Sequence, residues 1–209
     1  MPILINYLIA YQMSKELYYI YRLTQTISHI FKYSSKHLYT LFLRGGFKSL
    51  KGNLEYPCNI RGEKYISIGS GSVILKDTLL NVWDNYQHII PELSIGSNTY
   101  IGEHSHISTC NKVSIGDNVL TGRYVLISDN SHGHSTLNDS YLHPLDRPLV
   151  SKGEITIGNN VWIGERVCIF GGVEIGDGSI IAANSVVTKS IPDHCVAAGV
   201  PAKVIKKMN

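Results

Sequence analysis

The sequence predicts an all-β repeat fold, in which short strands are wound into stacked coils. Over residues 155–189 an aliphatic residue returns at every sixth position, and a small or uncrowded residue follows it in most units, with Phe170 as the exception. A period of six matches neither an amphipathic helix, at about 3.6 residues, nor a simple hairpin strand, at about 2. The aliphatic anchors are Ile157, Ile163, Ile169, Ile175, Ile181 and Val187.

The geometry of such a coil follows from strand dimensions. If each unit is a short strand, rising about 3.3 Å per residue and ending in a sharp bend, three units close a triangular coil of about eighteen residues. One anchor on each face then points inward, and so does the residue two positions before it. Stacked coils bury these side chains in continuous columns. An ordinary sheet with glycine-rich turns is the alternative, and six anchors in one register argue against it.

The repeat units and the end of the chain resemble a known family, the hexapeptide-repeat acyltransferases of the sugar or polysaccharide O-acetyltransferase type. The similarity rests on the tandem units and on the segments NSVVTKSIP at 184–192 and AAGVPAKVI at 197–205. It covers roughly residues 60–206. It implies a left-handed parallel β-helix, a handedness that the spacing alone does not supply. A short C-terminal helix is expected after the last coil.

Length and charge divide the 209 residues into two parts. We expect a basic, tyrosine-rich helical segment over residues 1–52 and the β-helix domain over residues 53–206. The first part carries seven Lys and Arg residues against Glu16 alone, a charge of +6, and the remainder carries −3. Two interpretations of the first part stay open. In one, its helices cap the open end of the coil. In the other, residues 1–43 lie on an anionic inner-membrane surface.

Cellular location is indicated by two further features of the sequence. No run of about 18 apolar residues occurs, so a membrane-spanning helix is not expected. The four cysteines lie far apart, with no C-x-x-C pair and no signal peptide before them. A reducing, cytoplasmic setting is therefore expected, including the cytoplasmic face of the membrane. No nucleic-acid partner is expected.

A long interruption of the repeat marks the expected active site. Anchors recur up to Ile127, and the next is Ile157, so residues 128–156 form a polar loop with two prolines. A loop of this length in a tight repeat is usually functional. Since insertions leave a coil at its bends, this loop must protrude, and it can reach a neighbouring subunit.

The loop begins with the residues SDNSHGH, which supply candidate bases. Transfer of an acyl group from a thioester to a hydroxyl needs a base for the hydroxyl proton, and neutral imidazole suits this role near pH 7. The resemblance implies that His132 is this base, with His134 as runner-up. Asp129 is a candidate for orienting the imidazole, although a backbone carbonyl would serve equally well. The alternative is that these histidines are merely solvated.

The resemblance also implies positions for both substrates. Ser105 or His106 would contact the acceptor sugar, and Trp162 would lie beside the thioester sulfur or, equally well, pack at a trimer contact. Acetyl-CoA needs a groove lined by small residues, with basic groups near its 3′-phosphate. Lysine stands at two positions where the family often has arginine. The implied CoA contacts are Gly172, Ala183, Thr188, Lys189, Lys203 and Lys206.

The resemblance therefore implies a homotrimeric enzyme that moves an acetyl group from acetyl-CoA to a hydroxyl of a sugar or surface-polysaccharide precursor, and no metal is expected. N-acetylation of an amino sugar nucleotide on the same fold is a second hypothesis. A third is a zinc hydratase of the γ-carbonic-anhydrase type, which would recruit His106, His132 and His134 with a spacing unlike that family's. A non-catalytic scaffold is the fourth. The sequence names neither the acceptor nor the position acetylated.

Overall fold

The computed structural model describes residues 17–27, 34, 36–84 and 89–208. The chain forms two compact units, Met1–Leu38 and Tyr39–Asn209. Residues 17–27 are helical and residues 36–43 are helical again. None of the described helices is long and apolar enough to cross a membrane. The expected helical structure over residues 1–16 and 28–33 lies outside the described residues.

The second unit is a stack of coils, each contributing one short strand to each of three sheets. The strands are short because every unit of the repeat ends in a bend. The first sheet consists of β1 (Ser49–Leu50), β4 (Ile66–Ile68), β7 (Glu92–Ile95), β10 (Lys112–Ile115), β15 (Ile155–Ile157) and β18 (Val173–Ile175).

The second and third sheets complete the triangular cross-section. The second sheet consists of β2 (Asn53–Leu54), β5 (Val73–Ile74), β8 (Tyr100–Ile101), β11 (Leu120–Thr121), β16 (Trp162–Ile163), β19 (Ile180–Ile181), β21 (Cys195–Gly199) and β22 (Ala202–Lys207). The third sheet consists of β3 (Asn59–Arg61), β6 (Leu79–Val82), β9 (His106–Thr109), β12 (Leu126–Ser128), β17 (Cys168–Phe170) and β20 (Val186–Val187).

Parallel pairing between successive coils aligns the repeat anchors. In the third sheet Ile107 pairs with Ile127, and Ile127 pairs with Ile169. All six anchors of the 155–189 stretch are at most 1 % exposed. The residues two positions before them are buried as well. The stacked-coil architecture predicted from the six-residue period is confirmed.

Small residues stand at the bends because successive coils approach closely there. A Cβ atom on Gly116 would lie 2.6 Å from the carbonyl oxygen of Gly158 in the next coil, well inside contact distance. Beside these glycines, an aligned row of polar side chains accepts hydrogen bonds from the backbone one coil away. Asp117 accepts from the N–H of Ser97, and Asn159 accepts from the N–H of Asp117. The bends are thus stabilised by tight backbone approach and by this row.

The two ends of the coil stack differ from expectation. The first strand begins at Ser49, four residues before the expected start at 53, and Phe47 and Leu50 already belong to the buried core. The predicted C-terminal helix is wrong, because Ala202–Lys207 forms strand β22, antiparallel to β21. The free edge of the second sheet offers unpaired backbone groups, and the returning chain satisfies them. A six-residue tail gains more hydrogen bonds there than an isolated helix turn would provide.

Candidate active site

The long excursion has its own secondary structure. The chain leaves the coil after Ser128, at the bend between the third and first sheets, and returns at Ile155. Within it, β13 (Asn130–His132) pairs antiparallel with β14 (Leu149–Ser151). A short α-helix, Leu137–Ser140, and a 3₁₀ helix, Pro144–Asp146, lie between these strands. The excursion is therefore a hairpin with a structured tip.

Asp129 fixes the base of this hairpin to the preceding coil. Its side chain is only 2 % exposed, and its carboxylate accepts hydrogen bonds from the backbone N–H groups of Cys110, Asn111 and Lys112 at 2.9–3.0 Å. The Thr109 hydroxyl donates to the same carboxylate. Both oxygens are thus engaged with the neighbouring bend. This geometry does not support the expected role of Asp129 in orienting an imidazole, because the carboxylate faces the coil.

The Cys110 thiol beside this carboxylate is inert. Burial, together with the negative charge of Asp129, raises the pKa of Cys110 to about 12. Cys110 is fully buried and forms a small apolar cluster with Val150, against which Trp83 and Leu149 pack. A thiol that stays protonated at neutral pH is neither a nucleophile nor a ligand. Its contribution is to pack β14 against the coil.

His132 and His134 stand in different environments. His132 ends β13, and its backbone is paired opposite Leu149, while its side chain is exposed. In the described part of the chain no side chain hydrogen-bonds to its imidazole. His134 donates its backbone N–H to Asp139 Oδ2 at 2.6 Å, and its Nδ1 lies 4.0 Å from the same oxygen. His132 therefore combines a fixed backbone with a free ring, whereas His134 faces a carboxylate.

Of the two expected acceptor contacts, the structure leaves one accessible. Ser105 is 1 % exposed and its hydroxyl accepts from the backbone N–H of Val125, so the expectation that it touches a substrate is wrong. His106 lies on the outer surface of the third sheet, with Nε2 3.1 Å from Asn81 Nδ2. Burial lowers the pKa of the His106 imidazole, so its neutral form is favoured.

Three of the expected CoA contacts lie at the same bend as the hairpin base. Gly172 has a φ of +80° and donates its N–H to the carbonyls of Gly153 and Glu154, where the excursion rejoins the coil. Thr188 and Lys189 follow β20, one coil further along, and both are exposed. These residues and the base of the His132 hairpin share one edge of the prism. Ala183 is exposed at a different bend, between the second and third sheets.

The other expected donor contacts follow a straight line on the outer surface of the second sheet. Trp162 pairs with Ile180, Ile180 with Val196, and Val196 with Lys206. Neighbouring strands are about 4.8 Å apart, so this line spans about 14 Å from Trp162 to Lys206. A register shift in β22 also brings Lys203, opposite Ala198, onto the same side as Lys206. Without the shift, residues three apart on a strand would face opposite sides.

Comparison with known proteins identifies the family. The bacterial transferase hexapeptide (six repeats) family model matches residues 154–189. A putative lipopolysaccharide biosynthesis O-acetyl transferase of Escherichia coli is 34 % identical over 159 residues, which cover 75 % of this chain and 79 % of that protein. This chain belongs to the hexapeptide-repeat acyltransferases. The galactoside O-acetyltransferase of Escherichia coli is 44 % identical over 127 residues, which cover 56 % of this chain and 57 % of that protein.

A solved structure agrees with this acyltransferase fold. AntD, an N-acyltransferase from Bacillus cereus in complex with dTDP and 3-hydroxybutyryl-CoA, superposes with a TM-score of 0.67 at 20 % identity. The match covers 80 % of this chain and 87 % of that one. At this identity the likeness concerns the fold alone. The left-handed parallel β-helix that the sequence resemblance implied is confirmed.

The acyltransferase also has a polar network that the sequence did not reveal. The indole N–H of Trp83 donates to the Ser108 hydroxyl at 3.2 Å, and the Asn130 amide donates to the same hydroxyl at 3.0 Å. Ser108 thereby links the early coils to the first residue of the His132 strand. The separation of these residues in the sequence is irregular, because residues 77–91 depart from the six-residue period. Only the strand pairing brings them together.

The residues expected to form the site fall on two separate parts of the prism. The His132 hairpin leaves the end of the third sheet, whereas the line from Trp162 to Lys206 runs along the second sheet. Across the described ranges, no group of three or more His, Cys, Asp or Glu side chains could hold a metal ion. His106, His132 and His134 therefore do not form the ligand set that a zinc hydratase needs.

Proposed function

We propose that this acyltransferase moves an acetyl group from acetyl-CoA to a hydroxyl of a sugar or surface-polysaccharide precursor, with His132 as the general base. The observation that carries the proposal is the exposed imidazole of His132, held on a paired strand at the mouth of the long excursion. The two relatives named as O-acetyltransferases support a hydroxyl acceptor.

The chemistry needs one proton carrier and a bound thioester. The acceptor hydroxyl attacks the thioester carbonyl while a ring nitrogen of His132 takes the hydroxyl proton. The tetrahedral intermediate then collapses, the carbon–sulfur bond breaks, and the CoA thiolate receives that proton. The ring returns to its neutral form, and no covalent enzyme intermediate is required. A ring without a competing hydrogen bond can turn toward either substrate.

The donor is best accommodated along the second sheet. Trp162 would contact the thioester end, and Lys203 and Lys206 would contact the 3′-phosphate end, because these residues stand at the two ends of one line on the outer surface of this sheet. Lysine supplies charge there without the bidentate geometry of arginine. Gly172, Ala183, Thr188 and Lys189 lie on other bends of the same chain and would contact donor held by a neighbour.

A homotrimer would bring the separate halves together. The outer surface of the second sheet exposes Tyr100, Leu120 and Trp162 at 40–52 % of their area. An exposed apolar row of this kind is typical of a surface that binds another protein. If the His132 hairpin of one subunit reached this row on the next, each interface would hold one complete site. We therefore propose three sites per trimer.

The N-terminal unit, which the structure limits to Met1–Leu38 and not to the expected residues 1–52, is proposed to hold the enzyme at the cytoplasmic face of the membrane. Helical residues 17–27 expose several large apolar side chains, including Leu17, Ile20 and Ile27, and residues 1–38 carry four Lys and Arg residues against Glu16, a charge of +3. Sedimentation of the full chain with vesicles tests this. Binding to phosphatidylglycerol vesicles but not to phosphatidylcholine vesicles is expected, whereas binding to neither would favour the capping interpretation.

Replacement of His132 by alanine tests the catalytic assignment. We expect acetyl transfer, followed as free thiol released from acetyl-CoA with a panel of sugars, to fall by at least about 100-fold. The side chain is exposed, so the unfolding midpoint should not change. His134→Ala in the same loop is the matched control and should retain activity within about threefold. Equal activity of His132→Ala and the unaltered enzyme would end the assignment, and transfer to amino sugars alone would favour N-acetylation.

A further inference from the structure

The outer surface of the third sheet carries a polar column that runs toward the His132 hairpin. Arg61 pairs with Asn81, Asn81 with Ser108, and Ser108 with Ser128, so their side chains share one side of the sheet at a rise of about 4.8 Å per strand. Of the inward residues on the same strands, Leu80, Ile107 and Ile127 are at most 1 % exposed, and Ile60 is partly buried. The chain enters the hairpin directly after Ser128. This column therefore leads from the early coils to the proposed catalytic base.

Arg61 is held at the far end of this column by an aromatic ring. Its guanidinium carbon lies 3.9 Å from the centroid of the Trp83 ring. Trp83 is itself oriented by the hydrogen bond to Ser108. It packs against the cluster of Cys110 and Val150, as does Leu149, the cross-strand partner of His132. A guanidinium stacked on a ring keeps its N–H edge free for a planar, bidentate partner. Among the described residues, Arg61 has no carboxylate partner.

The groups beside Arg61 are hydrogen-bond donors. The Asn81 amide donates to Nε2 of His106, so the neutral imidazole carries its proton on Nδ1, and that N–H has no partner within the described ranges. Two carboxylates of this region, those of Asp84 and Asp129, are already engaged. Asp84 accepts from the Tyr65 hydroxyl at 3.2 Å and lies 3.3 Å from Lys64, and Asp129 is enclosed by backbone N–H groups. A cluster of free donors next to satisfied acceptors suits an anionic ligand.

We propose that this column is a subsite for an acidic saccharide, in which Arg61 binds the anionic group and Asn81 and His106 donate to neighbouring oxygens. The inference rests on the proposed function for the identity of the ligand as the acyl acceptor. To the proposed function it adds the class of acceptor, which is a sugar with a carboxylate or a phosphate group. It also adds Arg61 as the residue that selects this acceptor. Lys64 carries the same charge nearby but is paired with Asp84, so it does not select the anion.

Binding and transfer are to be measured separately on the full chain. Methyl glucuronoside and glucose 1-phosphate are compared with the neutral methyl glucoside, and the corresponding galactose series is compared in the same way. Affinity is measured by NMR titration without donor, and transfer is measured as thiol release with acetyl-CoA. We expect at least one anionic sugar to bind about tenfold more tightly than its neutral partner, the effect of one charge-assisted hydrogen-bond pair. A preference for methyl glucuronoside would identify the anion as a carboxylate, and a preference for glucose 1-phosphate would identify it as a phosphate.

Variants decide whether Arg61 causes the preference. Arg61→Gln should reduce the ratio to about one by weakening only the anionic sugars, and Lys64→Gln should leave it unchanged. The subsite is overturned if no anionic sugar binds better than its neutral partner, if Arg61→Gln weakens both alike, or if Lys64→Gln has the same effect. An Arg61-dependent preference in binding, without thiol release from any sugar, would contradict the proposed transfer and leave the subsite standing. Thiol release from a sugar, without any preference for anionic sugars, would contradict the subsite and leave the proposed transfer standing.

Discussion

The outer surfaces of the second and third sheets differ although their inner surfaces are alike. Both sheets bury an aliphatic column, represented by Ile163 in one and Ile169 in the other. Outside, the second sheet presents an exposed apolar row that includes Leu120 and Trp162, whereas the third sheet presents polar side chains such as Asn81. The inner columns are dictated by the coil, so they carry no information on function. The outer columns are free to vary, and the assembly and acceptor proposals both rest on them.

Leu120 and Leu126 allow the two surfaces to be compared within a single coil. They begin strands β11 and β12 and point outward on the second and third sheets. Leu120→Glu should place a charge in the proposed trimer interface, leaving monomers with activity reduced by about 100-fold or more, because each site would lose half its residues. Sedimentation velocity measures the assembly state. Leu126→Glu is the matched control and should stay assembled, and a trimeric Leu120→Glu enzyme would show that this row is not the interface.

Asp129→Asn tests whether the third sheet depends on the carboxylate at the hairpin base. An amide cannot accept from all of the donors that surround Asp129, and one of its N–H groups would face a backbone N–H. We expect a loss of about 3 kcal/mol in the free energy of unfolding, measured in urea at fixed protein concentration. The exposed Asp146→Asn change in the same excursion should cost almost nothing. If both variants unfold at the same urea concentration, Asp129 does not fix the hairpin.

The coil was predictable from the sequence because its inward side chains recur at a fixed separation. The same rule could have corrected one expectation. Ser105 stands two positions before the anchor Ile107, a place that points inward, and it is indeed buried. The resemblance nevertheless suggested that Ser105 touches a substrate. Where periodicity and family resemblance disagree on the orientation of one side chain, periodicity was the better guide here.

The remaining differences arise from contacts between distant parts of the chain. The donors that enclose Asp129 come from residues 109–112, roughly one coil earlier, and no local pattern relates them to the loop. The C-terminal strand depends on the free edge of β21, which exists only after the coils have stacked. Arg61, Asn81 and Ser108 share a column only through strand pairing. The repeat in the sequence predicted the strands and their buried columns, but it did not predict single contacts between side chains that are far apart in the sequence.

The C-terminal strand provides a finer test of the second sheet. The register shift puts Lys203 and Lys206 on its outer side, whereas Lys207 pairs opposite the buried Cys195 and belongs to the other side. The double change Lys203→Ala and Lys206→Ala should weaken CoA about tenfold relative to dephospho-CoA, since only CoA has the 3′-phosphate. Competition with acetyl-CoA measures both affinities. Lys207→Ala should leave the ratio unchanged, and an equal loss for both ligands in the double variant would remove these lysines from the phosphate site.

His106, on the third sheet, gives the smallest expected effect, which is a change in how the free energy of unfolding depends on pH. Burial holds the pKa of its imidazole below the ordinary value of about 6.5 that it regains on unfolding. As the pH falls below that value, the unfolded chain binds the proton first, so stability decreases until the pKa of the folded state is passed. Urea unfolding at pH 7.5 and 5.5 should therefore show a larger loss for the unaltered protein than for His106→Asn, which has no proton to bind. Equal losses would mean that the ring is well solvated in the folded protein, and burial would then not lower the pKa of His106.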